Sequence, residues 1–381
     1  SAMSEQLGTK THDPKPGLAK LYGRWAEGGI GLSMTGNVMV DRGALGEPKN
    51  VVLDEKSDLT EFKNWAQAGK KNGSHIWPQL NHPGKQIPNF IVDVPVAPSA
   101  IALTRGLEKG FNKPRALTED EILVIIQKFA TAAKLSMQAG FTGVQIHGAH
   151  GYLVSQFLSP RHNQWGGSLE NRMRFVLSIY HAIRKEVGED FPIGIKLNSA
   201  DFMKGGFTEE DSMQVVKTLA DVGIDLIEIS GGTYENPSMM GSDAKKSTIA
   251  REAYFLEYAE KVRAMVDTPL VVTGGFRSSK AMQAALDTGA TDFIGIARTT
   301  AVDPDFPNKL IADENHQQQL KKLTTGKPAI DKMAMLDITW YEAQLARMAN
   351  GKKPKPNLSE WGVFFGTLLN AGIYAFRKRR A

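Results

Sequence analysis

The chain reads as an α/β protein, a (β/α)8 TIM barrel whose first strand is largely missing, followed by a C-terminal helical extension. Three observations predict this. Short apolar runs alternate with amphipathic helical stretches seven times along the 381 residues. Four of the helical stretches end at a glycine that leads straight into the next strand. No linker-like composition interrupts the series, so the repeats belong to one unit, residues 1–305, with 306–381 as a helical extension packed on it and ending in a basic tail.

The four glycine junctions lie in WAEGGIGLSMTGN, MQAGFTGVQIHGAHG, LADVGIDLIEISGG and LDTGATDFIGIAR, at Gly29, Gly140, Gly223 and Gly289. Glycine is expected just past a helix end because the left-handed conformation costs little without a Cβ. Expected strands are 30–38, 75–80, 143–147, 193–197, 226–229, 269–273 and 292–296. Their apolar runs lack clean alternation, as parallel strands buried on both faces do. Expected helices are 17–27, 58–72, 118–139, 170–187, 209–222, 253–266 and 278–288. Thr118 with Glu121 forms a capping box, and Thr208 with Asp211 a looser version. Eight is the natural closure for alternating β and α, so one strand is missing and should precede residue 17. A doubly wound open sheet is the rival. The opening SAMSEQ has no initiator methionine; either SAM is a cloning remnant or the sequence begins inside a longer chain.

Composition narrows the function. The chain is 41% hydrophobic and 23% charged, enough for a large core. It has no cysteine, which excludes disulfides, thiolate zinc sites and cysteine-held iron–sulfur clusters. The net charge of +5 is misplaced in the mean. Residues 351–381 carry seven Lys and Arg against Glu360 alone, so the other 350 residues sum to −1. A near-neutral body argues against a nucleic-acid surface. With no signal peptide in view, a cytoplasmic location is expected.

Two insertions, 81–117 and 148–169, follow strands at the C-terminal face, where barrels build active sites; 231–252 adds a third long loop. At the second, VQIHGAHGYLVSQF brings His147, His150 and Tyr152 to the mouth. Two chemistries could use them. HxxH could hold a metal, but the other strand ends offer mostly Gln79, Lys196 and Ser230, and a lysine beside a cation repels it. Alternatively, two imidazole donors hold a carbonyl oxygen that gains negative charge while the phenol supplies a proton. At the last two strands, VVTGGFRSSK and GIAR place Gly274, Gly275, Gly295 and Arg298 where such barrels bind phosphate. A polar triad on one side and a phosphate site on the other imply one phosphorylated cofactor lying across the mouth.

These motifs resemble the old yellow enzyme family of FMN-dependent ene reductases and NADH:flavin oxidoreductases. The carrying segments are IHGAHGYLVSQFLSPRHNQWGGSLENRMRF (146–175), QLNHPGKQ (79–86), VTGGFR (272–277) and GIAR (295–298). The resemblance implies roles. His147 and His150 match the pair that binds the substrate carbonyl; the yeast-type branch has His and Asn there. Tyr152 matches the proton donor. Gln79 corresponds to the residue on the flavin pyrimidine edge, and Lys196 to the basic residue near flavin N1 and O2, where a cation favours the reduced anion. Gly274, Gly275, Phe276, Gly295, Ala297 and Arg298 fall on the phosphate-binding segments. The SAMSE segment resembles the end of the family's first strand, which puts Ala2 and Met3 against the flavin and Ser4 near its O4. Other branches place threonine or cysteine at Ser4.

The implied cofactor is FMN, with NADH or NADPH as reductant and no metal. The implied reaction is ping-pong hydride transfer to the C=C bond of an α,β-unsaturated carbonyl, or to a related electrophilic alkene or quinone. Two rivals stand beside it: a metal-dependent barrel hydrolase or lyase using His147 and His150, and a non-catalytic flavin-binding protein at a membrane. For the tail, the apolar stretch Trp361–Phe376 is short of the ~20 residues that span a bilayer. It packs on the barrel or on a second copy of the chain; the other reading is weak contact with the inner membrane face, through Arg377–Arg380 on anionic lipid.

Overall fold

The computed structural model describes residues 1–164, 166–237, 252–333 and 335–375. Seven strands stand where the apolar runs put them, four of them just past the glycine junctions. They are β1 (Leu32–Met39), β3 (His75–Asn81), β6 (Val144–Gly148), β7 (Ile193–Asn198), β8 (Leu226–Ser230), β9 (Leu270–Thr273) and β10 (Phe293–Gly295). The short β2 (Val51–Val52) adds to β1, while β4 (Val96–Ala97) and β5 (Arg115–Ala116) pair apart within the first insertion. The main sheet runs β10-β9-β8-β7-β6-β3-β1-β2, and every pairing in it is parallel. The doubly wound rival needs an order that reverses about an inner strand. This order instead follows the chain around from β1 to β10, as a barrel requires.

β1 and β10 face each other without pairing, and residues 1–15 form no strand. A cavity of about 820 Å³ follows this seam along the N-terminal ends of the strands, lined by Leu32, Met34, Trp77, Leu226, Val271 and Ile294. It opens at the end of the strands away from His147 and reaches inward as far as Ser1, Met3 and Glu228. Inside the sheet the Trp77 indole fills the lower layer. A Cβ on Gly143 would sit 2.4 Å from that ring and one on Gly194 2.9 Å, so bare backbone at both positions lets an indole fit where two strands pass.

Helices cover the outside. α3 (Glu119–Gln138) begins at the expected capping box: Thr118 accepts from the Glu121 amide at 3.3 Å, and Glu121 accepts from the Thr118 amide at 2.9 Å. Thr118→Ala removes one partner of that exchange and is expected to cost about 1 kcal/mol in urea unfolding. A change within error would mean that Arg115, which grips Glu121 at 2.6 and 2.7 Å, holds the end alone.

Past the barrel, α12 (Leu336–Ala349) lies on α1 (Pro16–Glu27) and buries Trp340. α13 (Glu360–Ala375) packs on α12 through Val363 and Phe364 and leaves Trp361, Phe365, Leu368 and Leu369 exposed. Among the described residues no helix is long and apolar enough to cross a membrane. The basic run 377–380 and most of the third long loop, 238–251, lie outside the described residues.

Candidate active site

The mouth of the barrel holds a continuous polar layer, and the strand register explains it. Gln79 stands beside Gln145, His147 beside Lys196, and Lys196 beside Glu228. Side chains alternate along a strand, so residues two apart share the inner face. Gln79 donates to Gln145 at 2.7 Å, and Gln145 donates to Glu228 at 2.8 Å. Glu228 meets Lys196 at 3.1 Å and accepts from Thr273 at 2.7 Å. Burial alone would raise the Glu228 carboxyl. Lys196 opposes it most strongly, and the carboxyl ends at about 2. Glu228 is therefore ionised and the layer carries a matched ion pair.

His147 and His150 stand over this layer. The His147 ring is 5.2 Å from that of His150 and 4.8 Å from that of Tyr152, edge-on to both. The Ala149 amide donates to His147 Nδ1 at 3.3 Å. An accepting Nδ1 puts the ring hydrogen on Nε2, free to donate elsewhere. The His150 ring shares a 2.8 Å hydrogen bond with the Ser230 hydroxyl. Burial, then the charges of His150 and Lys196, drives His147 well below its ordinary value. Burial and Lys196 bring His150 to about 3. Both imidazoles are thus neutral N–H donors. His150 has φ +61, a strained value for a non-glycine residue, and its backbone is clamped on both sides: its amide donates to Asn198 Oδ1 at 3.1 Å and its carbonyl accepts from Gln86 at 3.1 Å. The NHPGKQ segment therefore braces the second imidazole.

Tyr152, buried, follows one turn on. Its hydroxyl lies 2.7 Å from that of Tyr234 and 3.4 Å from the Asn37 amide nitrogen. Burial first, then the nearby Glu47, raises it to about 12, so it is a neutral phenol able to donate.

Across the mouth, Gly274 (φ +123) and Gly275 (φ +95) adopt backbone that a side chain would strain. The Arg277 and Ser278 amides just beyond them grip the Glu252 carboxylate at 2.7 and 2.9 Å, so the turn accepts an anion. Beside it a cavity of about 320 Å³ is lined by Arg277, Arg298, Lys321, Lys322 and Tyr341, with Asp337 as its one carboxylate among the described residues. Gly295 is packed against Thr273, and Ala297 leads into α9 (Arg298–Val302). Phe276 is buried.

The N-terminal segment lies less simply. Met3 packs on the main core, but Ala2 rests on the lower layer with Met34 and Trp77. The Ser4 hydroxyl sits between Glu47 and Glu342. One hydroxyl hydrogen cannot serve two carboxylates, and burial with the Glu342 charge raises Glu47 to about 8. Glu47, Gln145, Glu228, Tyr234 and Glu342 escaped the reading of the sequence. Glu228 and Gln145 had a signal, a lone polar residue in each of LIEIS and VQIHG. The others come from loops and a distant helix, where no periodicity marks them.

A flavin phosphate suits these residues. The cationic cavity supplies Arg298, for which no ion pair occurs among the described residues. The buried Asn81, two residues beyond Gln79 on the same face, has both amide atoms without a partner, a polar group left over for a ligand. Among the described residues no three His, Asp or Glu side chains are arranged to hold a metal ion.

The chain is similar to known flavin oxidoreductases. A family model described as NADH:flavin oxidoreductase / NADH oxidase family matches residues 4–317. An NADH-dependent flavin oxidoreductase of Hypocrea jecorina (strain QM6a) is 36% identical, covering 87% of this chain and 88% of its own. One from Talaromyces variabilis is 34% identical, covering 92% and 93%. Among solved structures, a 2-naphthoyl-CoA reductase complex superposes with a TM-score of 0.75 at 27% identity, over 82% of this chain and 49% of that one. The old yellow enzyme homologue from Zymomonas mobilis superposes at 0.69 with 24% identity, over 85% and 92%, a likeness of fold.

Proposed function

The chain belongs to the NADH:flavin oxidoreductase / NADH oxidase family, whose cofactor is FMN, and from that premise we propose that it reduces the C=C bond of an α,β-unsaturated carbonyl compound. Residues 1–305 would carry the chemistry and 306–381 the helical extension. The observation that carries the reading is the pair of neutral imidazoles beside a neutral phenol, 5.2 and 4.8 Å apart, over an ionised Lys196–Glu228 pair.

Bound FMN would supply hydride chemistry, taking two electrons from a reduced nicotinamide and passing them on. Gln79 and Lys196 would hold its polar edge, and Arg298 with the turn at Gly274 and Gly275 its phosphate. The chain's own work is acid and electrostatic. His147 Nε2–H and the His150 ring hold the substrate carbonyl oxygen. As negative charge grows there, the two donors stabilise it without reorganising, which is how an oxyanion hole accelerates a reaction. Tyr152, neutral at ordinary pH, gives its proton to the α-carbon. Neutral imidazoles suit the task, since an imidazolium would repel the nearby Lys196.

The test separates the two half-reactions. Protein purified with FMN and mixed with NADH in a stopped-flow instrument is expected to lose flavin colour. Mixing the reduced protein with 2-cyclohexenone is expected to restore it, with cyclohexanone as product. Colour that returns only with a quinone would move the substrate class away from enones. The metal-hydrolase alternative predicts no nicotinamide-dependent bleaching at all.

A further inference from the structure

Tyr152 is buried, yet a proton donor must be recharged after every turnover, so its hydrogen-bond partners matter. There are two. The Asn37 amide nitrogen at 3.4 Å can donate a hydrogen bond but cannot deliver a proton at ordinary pH. The Tyr234 hydroxyl at 2.7 Å can do both. Tyr234 is half-buried where Tyr152 is 6% exposed, so of the two phenols it is the one nearer the surface.

The loop holds Tyr234 at that spot from both sides. Thr233 and Asn236 close a tight turn around it with hydrogen bonds of 2.9 and 3.0 Å. Gly232 accepts from Asn198 at 2.9 Å, and Asn236 donates to the Phe202 carbonyl at 2.7 Å. Glu235 takes the Thr104 amide at 3.0 Å and the Thr104 hydroxyl, with Arg161 and His162 at 3.7 and 3.5 Å. Phe111 lies edge-on to the Tyr234 ring at 6.3 Å. These anchors come from the 81–117 insertion, the 158–163 loop and the end of β7, so three loops converge to fix one phenol.

We propose that Tyr234 is a positioning and relay residue for Tyr152: it orients the Tyr152 hydroxyl toward substrate and returns a proton to it from solvent. This rests on the reading of Tyr152 as proton donor. In the step, the Tyr152 O–H bond breaks as the α-carbon C–H bond forms, leaving a phenolate. The Tyr234 O–H hydrogen passes to that oxygen, and water reprotonates Tyr234, releasing hydroxide to the buffer. The hydride on the β-carbon comes from the nicotinamide by way of the flavin. While the charge is on Tyr152, the Tyr234 hydrogen bond stabilises it. Burial and Glu47 raise the Tyr152 phenol, and the bond from Tyr234 acts against them.

The experiment is a double-mutant cycle on the FMN-loaded enzyme, read in the separate half-reactions with NADH and 2-cyclohexenone. Tyr234→Phe keeps the ring and removes the hydroxyl. The expected result is unchanged flavin reduction, unchanged apparent affinity for the enone and an enone half-reaction slower by about 10-fold, a modest share of what acid catalysis supplies. In a Tyr152→Phe background the same change should add less than about 2-fold, because a residue acting through another has nothing left to act on. Tyr234→His, which retains a transferable proton, should recover part of the rate. In flavin-free protein carrying ζ-¹³C tyrosine, Tyr234→Phe should shift the resonance that disappears in Tyr152→Phe. Equal losses in both backgrounds, or no loss in either, overturn the proposal. If Tyr152→Phe itself leaves the enone half-reaction at full rate, the proton-donor reading fails first and the relay falls with it.

Discussion

His147→Ala is expected to slow enone reduction by on the order of 100- to 1000-fold, the usual consequence of removing one oxyanion donor. The protein should stay yellow and its reduction by NADH should keep its rate. The geometry sets both halves of this result. His147 offers Nε2–H to the mouth because the Ala149 amide holds Nδ1 as acceptor, so the side chain contributes a donor that alanine cannot replace. Its contacts with His150 and Tyr152 are ring edges, so its loss leaves the Lys196–Glu228 layer in place. His147→Gln, which keeps an N–H near the same position, should retain more activity than alanine. A His147→Ala enzyme that reduces 2-cyclohexenone within threefold of the parent would remove the imidazole pair from the mechanism. Because burial and neighbouring charge keep both imidazoles neutral, the rate of the enone half-reaction should show no His titration between pH 6 and 8.

Glu228→Leu should produce the largest loss of stability, about 3 to 5 kcal/mol, as expected when one member of a buried ion pair is removed. The Lys196 and Glu228 side chains are 4% and 1% exposed, so the ammonium would be left without solvent or counter-charge. The double change Lys196→Met with Glu228→Leu should recover most of the loss, since two apolar side chains replace the pair. Wild-type stability carries the same interaction as a pH dependence. The Glu228 carboxyl lies at about 2 in the fold against an ordinary 4.5. A depressed carboxylate contributes stability that is fully present above about 4.5 and disappears as pH falls toward 2, on the order of 3 kcal/mol. Urea midpoints at pH 6 and pH 3 should therefore converge less in the parent than in the double variant. Identical pH slopes in the two proteins would show that the pair is not coupled to folding.

How much of this was legible in the sequence differs by element. The strand at 144–148 announced itself: an apolar run after Gly140, ended by histidine, can be little else in a series of parallel strands. The capping box at Thr118 and Glu121 needed only four consecutive residues. The pairing of Lys196 with Glu228 was not legible, although both stand in the open as lone charges in apolar strands. Which charge faces which depends on register between β7 and β8, and register is decided when the sheet assembles. Tyr234, Glu47 and Glu342 were further out of reach. Their loops and helix carry no period to read, and only closure of the barrel mouth brings residues some 80 to 300 positions apart in sequence into one pocket.

The sequence by itself determined the alternation of strand and helix, the parallel direction of the sheet and the crowding of His147, His150 and Tyr152 at one mouth. Those follow from local chemistry: glycine at helix ends, apolar runs buried on both faces, and a short motif whose residues cannot move far apart. Tertiary structure alone decided which nitrogen of His147 donates, that both imidazoles are uncharged, and that the Lys196 charge is matched by Glu228. Protonation and hydrogen-bond direction depend on dielectric, neighbouring charge and distance. Those exist only once separate strands and loops have been brought together.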